Sequence, residues 1–283
     1  MSQLQTALFA PGSSQRMMAK ALALPVDAII LDLEDAVSPL EKDTAREYVV
    51  QTLQLDSAAQ RWVRINPVGT GLQVNDLAAI LPAHPDAIMV PKADEASLSV
   101  LSNQLEEFEA TGAVAPPLIA LVETCRGLLQ VASIASNPRV SGLMLGAEDL
   151  TAELGISRTE QGNEIMLARQ QLAIAARAYN RFAMDTPHLA IANTEALAAD
   201  VATARNLGMT SKACIHPSQV STVQEGFGST AQEVTWAHRV LAALDQSLAE
   251  GRGACALDGK MIDAPVAAQA RRILAAAPKE LQD

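Results

Sequence analysis

Short apolar runs alternate with helix-patterned segments almost from end to end, and this alternation constrains the fold of the chain more than any other feature. "TALFAP" is followed by "SSQRMMAKALAL", "AIILDLE" by "DTAREYVVQTLQ", "RWVRINP" by "LQVNDLAAIL", and "AIMVPK" by "ASLSVLSNQLEEFEATG". The series continues with "PLIALVET" and "GLLQVASIAS", "SGLMLGAED" and "NEIMLARQQLAIAARAYN", "RFAMDTP" and "TEALAADVATARNLG", then "SKACIHP" and "SQVSTVQEGF". The runs are rich in Val, Ile and Leu and do not alternate with polar residues, which predicts parallel strands covered on both faces. Gly112 and Gly208 stand where helix C-caps belong, and Pro11, Pro67, Pro91 and Pro217 close strands. About eight strand-then-helix units in series predict a (β/α)8 TIM barrel. An open doubly wound sheet would carry GxGxxG after its first strand, and the chain has none there.

The barrel is expected over residues 1–228. Residues 229–283 carry a helix, "EVTWAHRVLAALDQSLAEG", a linker, "RGACALDGKMIDAP", and a last helix, "VAAQARRILAAA". This tail is too short for a domain and is read as a C-terminal helical arm or lid.

At 283 residues the chain is long enough to bury the core of one large α/β domain. A hydrophobic fraction of 49% with 3% aromatic predicts an interior of alanine and aliphatic side chains. The net charge of −11 argues against nucleic acid and anionic membranes as partners. No apolar run approaches the ~18–20 residues of a membrane span, and the start, "MSQLQTALFAPGSS", does not read as a secretory signal. Cys125, Cys214 and Cys255 are odd in number and lack CxxC spacing, so free thiols and a cytoplasmic location are expected.

In a barrel the functional groups lie at the C-terminal strand ends. Those ends read Glu34 and Asp35, Arg64, Lys92, Glu123, Glu148 and Asp149, Asp185, and His216. Carboxylates converging on one mouth repel one another unless a cation sits among them. Mg2+ suits such a ring, because it takes oxygen ligands and keeps waters that substrate oxygens replace. No HExxH, Cys/His cluster or P-loop is present. Each residue also has a structural reading. Asp149 is a natural N-cap for "LTAEL", Glu123 a partner for a nearby Arg or Lys, Lys92 a counter-charge, and His216 a structural residue before Pro217. Asp263 is placed to N-cap the last helix. Arg64 is the hardest to explain structurally, since a guanidinium inside a strand is costly unless paired or gripping an anion.

The stretches "LFAPGS", "DAIILDLEDAV", "VRINP", "PKAD", "LVETCRG", "LGAEDL", "CIHPSQV" and "DGKMIDAP" resemble, in order and spacing, the citrate lyase β-subunit-like proteins of the aldolase/citrate lyase family. The similarity runs over nearly the whole chain, and "GKMIDAP" points to the branch of malyl-CoA, citramalyl-CoA and citryl-CoA lyases. The resemblance implies a TIM barrel with a C-terminal arm, commonly in homotrimers. It implies Glu123 and Asp149 as Mg2+ ligands, with Glu123 also at the substrate, and Arg64 as the group contacting the substrate's reacting end. Asp263 would be an acid that reaches a neighbouring subunit's site, and Glu34 and Asp35 would hold the metal's waters. The implied reaction is cleavage of a β-hydroxyacyl-CoA, (S)-citramalyl-CoA favoured, to a 2-oxo acid and acetyl-CoA, so that CoA enters as part of the substrate. Two alternatives remain: a metal-dependent aldolase for free hydroxy-oxo-acids, and a citrate lyase β subunit active only with an acyl-carrier protein. Arg16 and Lys20, after "PGSS", are candidates for the CoA phosphates. The amides of "GAED" are candidates for the substrate carboxylate.

Overall fold

The computed structural model describes residues 4–277. Eight parallel strands close into a barrel in chain order: β1 (Thr6–Pro11), β2 (Ala28–Asp32), β3 (Gln60–Arg64), β4 (Ala87–Val90), β5 (Leu118–Val122), β6 (Val140–Leu145), β7 (Phe182–Asp185) and β8 (Ser211–Cys214). Pairing of β1 with β8 completes the ring. Between the strands run α1 (Gln15–Leu22), α2 (Lys42–Leu53), α3 (Leu72–Ile80), α4 (Glu95–Glu109), α5 (Cys125–Leu129), α6 (Val131–Ser136), α7 (Ala147–Glu153), α8 (Met166–Ala178) and α9 (Thr194–Asn206); α10 (Val220–Phe227) follows β8. The expected (β/α)8 barrel is therefore observed, with C-terminal helices beyond it.

Local chemistry sets the helix limits. Asp94 accepts the Ser97 N–H at 2.7 Å while the Ser97 hydroxyl accepts the Asp94 N–H at 2.9 Å, a reciprocal cap that starts α4. Gly208, directly after the α9 cap Leu207, has φ +97°, a left-handed conformation that glycine adopts at no steric cost.

Inward residues of the strands form one cluster that includes Ala7, Ala28, Ile30, Met89, Ile119 and Met144. The aliphatic interior has an aromatic exception. Trp62 stacks on Phe182, ring centroids 5.7 Å apart. That stack fits because Gly142 leaves the space open: a Cβ there would lie 2.1 Å from the Phe182 ring. Outward residues such as Ile29, Val63, Ile88 and Leu143 are equally buried, beneath the helices. Each such side chain is worth roughly 1.5–3 kcal/mol of burial.

Asp185, expected at the mouth, instead belongs to a buried ion network. Its carboxylate accepts Arg169 Nε and Nη2 from α8 at 2.8 and 2.9 Å, and Lys212 Nζ from β8 at 2.5 Å. Asp200 on α9 joins at 2.6 Å from Arg169 and 2.7 Å from Lys212. The physical reason is strand parity: Asp185 pairs in register with Lys212, and both face the helices rather than the lumen.

Burial opposes the charge of Asp200, but Lys212 and Arg169 outweigh it and hold the carboxyl down at about 2. A depressed acid contributes stability that is complete above its unfolded value and is lost as pH falls through the folded one. Asp200 should thus contribute about 2 kcal/mol at neutral pH, lost between roughly pH 4 and 2. Urea unfolding across that range should show the loss, and Asp200→Asn should flatten it; an unchanged slope would reassign the acid sensitivity.

The chain divides into two compact units, Leu4–Gly226 and the part beginning at Phe227. In the second, α11 (Ala231–Ala249) packs on α12 (Ala264–Ala276), and the hairpin β9 (Cys255–Leu257) with β10 (Lys260–Ile262) joins them. Ala237, Val240, Leu244, Ile262, Ala267 and Ala270 form its core. Among the described residues no helix is long and apolar enough to cross a membrane.

Candidate active site

The C-terminal ends of the strands open into a cleft of ≈ 390 Å3 that includes Asp32, Asp35, Arg64, Glu123 and Asp149 in its lining, within the size range of small-molecule sites. Arg64 is the anchor of one side. Its register partner on β2 is Asp32, a residue not singled out from the sequence. Asp32 accepts Arg64 Nε at 2.7 Å and Nη2 at 2.6 Å, a bidentate pair that fixes the plane of the guanidinium. Nη1 lies 3.1 Å from Glu34 and 3.3 Å from Asp35, and the guanidinium carbon sits 5.1 Å from the centre of the Phe9 ring. Burial opposes the charge of Arg64, yet Asp32 and its acidic neighbours raise its pKa above the ordinary guanidinium value.

Glu123 follows β5 and is 5% exposed. Its Oε1 accepts the Lys92 N–H at 2.8 Å, and Lys92 holds a left-handed backbone, φ 49°, in making that contact. Glu123 needs Gly146 beside it, because a Cβ at position 146 would lie 2.5 Å from the Glu123 Cβ and 2.6 Å from Oε2. Burial, then the charge of Asp149, push the Glu123 carboxyl up to about 7 despite the Lys92 amide. Glu34 is pushed up to about 8, chiefly by burial, with Arg64 acting the other way. Although Glu34 Oε2 is close to Arg64, it accepts no hydrogen bond in the structure.

Asp149 is not an N-cap. Gly146 occupies that position and Asp149 sits in the first turn of α7, half exposed, with Lys92 Nζ 3.9 Å from its Oδ2. Glu148 turns away to Arg158 at 2.8 Å. Both acids lie in the first turn of α7, about 100° apart around its axis, which sends them in different directions. The "GAED" amides are partly committed: the Ala147 N–H is bound by Thr186 Oγ1 at 3.3 Å. His216 is structural in these contacts, its Nδ1 accepting the Ser218 N–H. Arg16 and Lys20 are exposed on α1. Asp263 caps α12 in the C-terminal unit, its Oδ1 accepting the Val266 N–H at 3.2 Å.

A second group missed from the sequence supports the loop after β2. Buried Lys42 donates to the backbone carbonyls of Leu33 and Glu34 at 2.6 and 2.7 Å and to Asn66 at 2.7 Å. Burial lowers its pKa. Asp76 in turn holds Asn66 and Arg46. Only the spacing of polar residues inside apolar helices could have signalled these groups.

The donor set fits a hard cation. Glu123 and Asp149 offer carboxylate oxygens in a cleft where their like charges disfavour one another, which a divalent ion would reverse. Among the described residues no group of three or more His, Cys, Asp or Glu could enclose a metal. A pair of carboxylates with open positions is the arrangement Mg2+ favours, whereas structural zinc takes four protein ligands.

Residues 5–217 match the model of the HpcH/HpaI aldolase/citrate lyase family. The chain belongs to that family. With it comes the enzyme class, carbon–carbon lyase. A relative named (3S)-malyl-CoA thioesterase, from Cereibacter sphaeroides, is 36% identical over 278 residues, covering 96% of this chain and 94% of that protein. The citrate lyase subunit beta of Escherichia coli K12 is 34% identical over 277 residues, 95% and 92% of the two chains. In structure, the chain is similar to protein CitE from Mycobacterium tuberculosis in complex with magnesium, acetoacetate and coenzyme A. The TM-score is 0.83 at 36% identity, over 97% of this chain and 98% of that one.

Proposed function

We propose that this member of the HpcH/HpaI family is a Mg2+-dependent lyase that cleaves a β-hydroxyacyl-CoA to a 2-oxo acid and acetyl-CoA, with (S)-citramalyl-CoA as the favoured substrate. The observation that carries the reading is one cleft holding a guanidinium locked by Asp32 together with the carboxylates Glu123 and Asp149. Glu123 and Asp149 would hold the ion, and Glu34 and Asp35 its waters. When bound, the ion supplies Lewis-acid charge to the hydroxyl and carboxylate oxygens of the substrate.

As the hydroxyl gives up its proton to solvent, its O–H electrons form the ketone of the 2-oxo acid, the adjacent carbon–carbon bond breaks, and that bond's electron pair moves onto the thioester as an enolate. Arg64, already oriented by Asp32, stabilises the charge growing on the thioester oxygen without reorganising. A proton delivered to the enolate carbon completes acetyl-CoA, and Asp263 is the proposed donor, from a neighbouring subunit of a homotrimer. The cap on α12 uses Oδ1 of Asp263.

Charge and apolar surface support the acyl preference. Arg64 is the sole cation lining the cleft among the described residues, against five lining carboxylates, while Leu121, Met144, Leu189 and Ile215 supply apolar wall. A methyl substituent, as in pyruvate, meets apolar surface; with Glu123 and Asp149 given to the ion and Asp32 to Arg64, the extra carboxylate of oxaloacetate would still find Asp35 and Glu148 lining the cleft. Thioester hydrolysis is the second reading, favoured by the thioesterase name of a relative 36% identical.

A panel of glyoxylate, pyruvate and oxaloacetate with acetyl-CoA and Mg2+ should show condensation with pyruvate the best acceptor. With (S)-citramalyl-CoA the products should be pyruvate and acetyl-CoA. Free thiol without any 2-oxo acid would establish hydrolysis instead, and preference for oxaloacetate would overturn the charge argument. Asp263→Asn should stop deuterium exchange into the methyl group of acetyl-CoA; persisting exchange would assign the proton to another group.

A further inference from the structure

We propose that Thr186 is a positioning residue that caps helix α7 from the neighbouring strand and so fixes Asp149 beside Glu123. The inference rests on the reading of Asp149 as a metal ligand. It begins with a conflict at residue 146. The first amides of a helix have no partner within it, and the N-cap side chain ordinarily accepts one of them. In α7 the N-cap is Gly146, which has no side chain and makes no such bond. It cannot be replaced by Ser, Asp or Thr, because Glu123 fills the space its Cβ would occupy. The packing that brings Glu123 to the site therefore removes the cap from the helix that carries Asp149.

Thr186 restores it from outside. Strands β6 and β7 pair through Met144 and Met184, so continuing the register sets Thr186 beside Gly146. Thr186 is buried, 1% exposed; its hydroxyl accepts the Ala147 N–H at 3.3 Å, and the residue lines the cleft. Its own direction is imposed one residue earlier. Asp185 is drawn outward by Arg169 and Lys212, and strand alternation turns Thr186 to the opposite face. The far end of α7 is tied as well, since the Glu153 carboxylate accepts the Cys125 N–H at 3.0 Å, two residues beyond Glu123. Helix α7 is thus held at one end by β7 and at the other by the β5 loop, with Asp149 between the two ties. The buried ion network, which contributes no group to the cleft floor, reaches the site through Thr186.

The test compares variants that remove the hydroxyl, Thr186→Val and Thr186→Ala, with Thr186→Ser, which retains it. Binding of Mn2+ alone to the full-length metal-free protein is followed by electron paramagnetic resonance of the free ion, and hydrogen exchange is followed at the Ala147 amide. Removing the hydroxyl should weaken Mn2+ binding roughly 10-fold or more, the range seen when a ligand's support is lost, and deprotect the Ala147 amide. Thr186→Ser should restore both. Wild-type Mn2+ affinity in either folded hydroxyl-free variant, or equal loss in Thr186→Ser, would overturn the proposal. Asp149→Asn is the parallel measurement. If it leaves Mn2+ affinity unchanged, the assignment of Asp149 as a ligand fails, an outcome distinct from failure of the cap.

Discussion

Glu123→Gln and Asp149→Asn should each lower Mg2+-dependent cleavage by about 10³-fold, because losing a metal that supplies several kcal/mol of charge stabilisation costs roughly that factor. The amides match the carboxylates in shape and remove only the charge. The two variants should differ in stability. Glu123 is buried and its carboxyl is pushed up to about 7, so in the metal-free protein its ionised form opposes folding. A raised acid costs stability above its folded value and is neutral below its unfolded one. Glu123→Gln should therefore raise the melting temperature of the metal-free protein at pH 8, by about 1–3 kcal/mol of stability. Asp149 is half exposed, and its replacement should leave melting nearly unchanged. Steady-state rates with and without chelator, with melting curves in chelator, check both halves. Full activity in either variant would remove that residue from the metal.

Lys212→Met should be the most destabilising single change outside the apolar core. Lys212 is fully buried and touches Asp185 and Asp200, both of which also hold Arg169, and Asp200 lies 3.4 Å from His188 Nδ1. Its loss leaves two buried carboxylates sharing one guanidinium, a break that costs about 3–5 kcal/mol. In a chain of this size that lowers the melting temperature by roughly 6–15 °C. Replacing Arg169, Asp185, Asp200 and Lys212 together by apolar residues of similar volume should cost far less, since no charge is then stranded. Thermal unfolding of the single and quadruple variants measures the contrast. Melting of Lys212→Met within about 1 °C of the parent would mean that removing Lys212 strands no buried charge.

Charge at the end of an apolar run does not by itself fix where the side chain goes. Glu34, Arg64, Glu123 and Asp149 were marked by charge at the end of an apolar run, and all lie near the mouth. Asp185 carries the same mark and goes elsewhere, because a strand's pattern, when both faces are apolar, does not say which face a given residue takes. Asp32 carries no such mark, for the converse reason. It is written inside "IILDLE" as one more strand residue, and only its register opposite Arg64 makes it the group that orients the guanidinium.

By itself, the order of apolar runs and helical patterns determined the barrel, since eight strands buried on both faces and joined by helices leave few other ways to close a parallel sheet. The same order placed the acids near one end, where each run stops. What only the tertiary structure decided was the pairing: Asp32 with Arg64, Asp185 with Lys212, Thr186 with the first amide of α7. Those partners meet across neighbouring strands, and a register slip of one residue would turn every one of them to the opposite face.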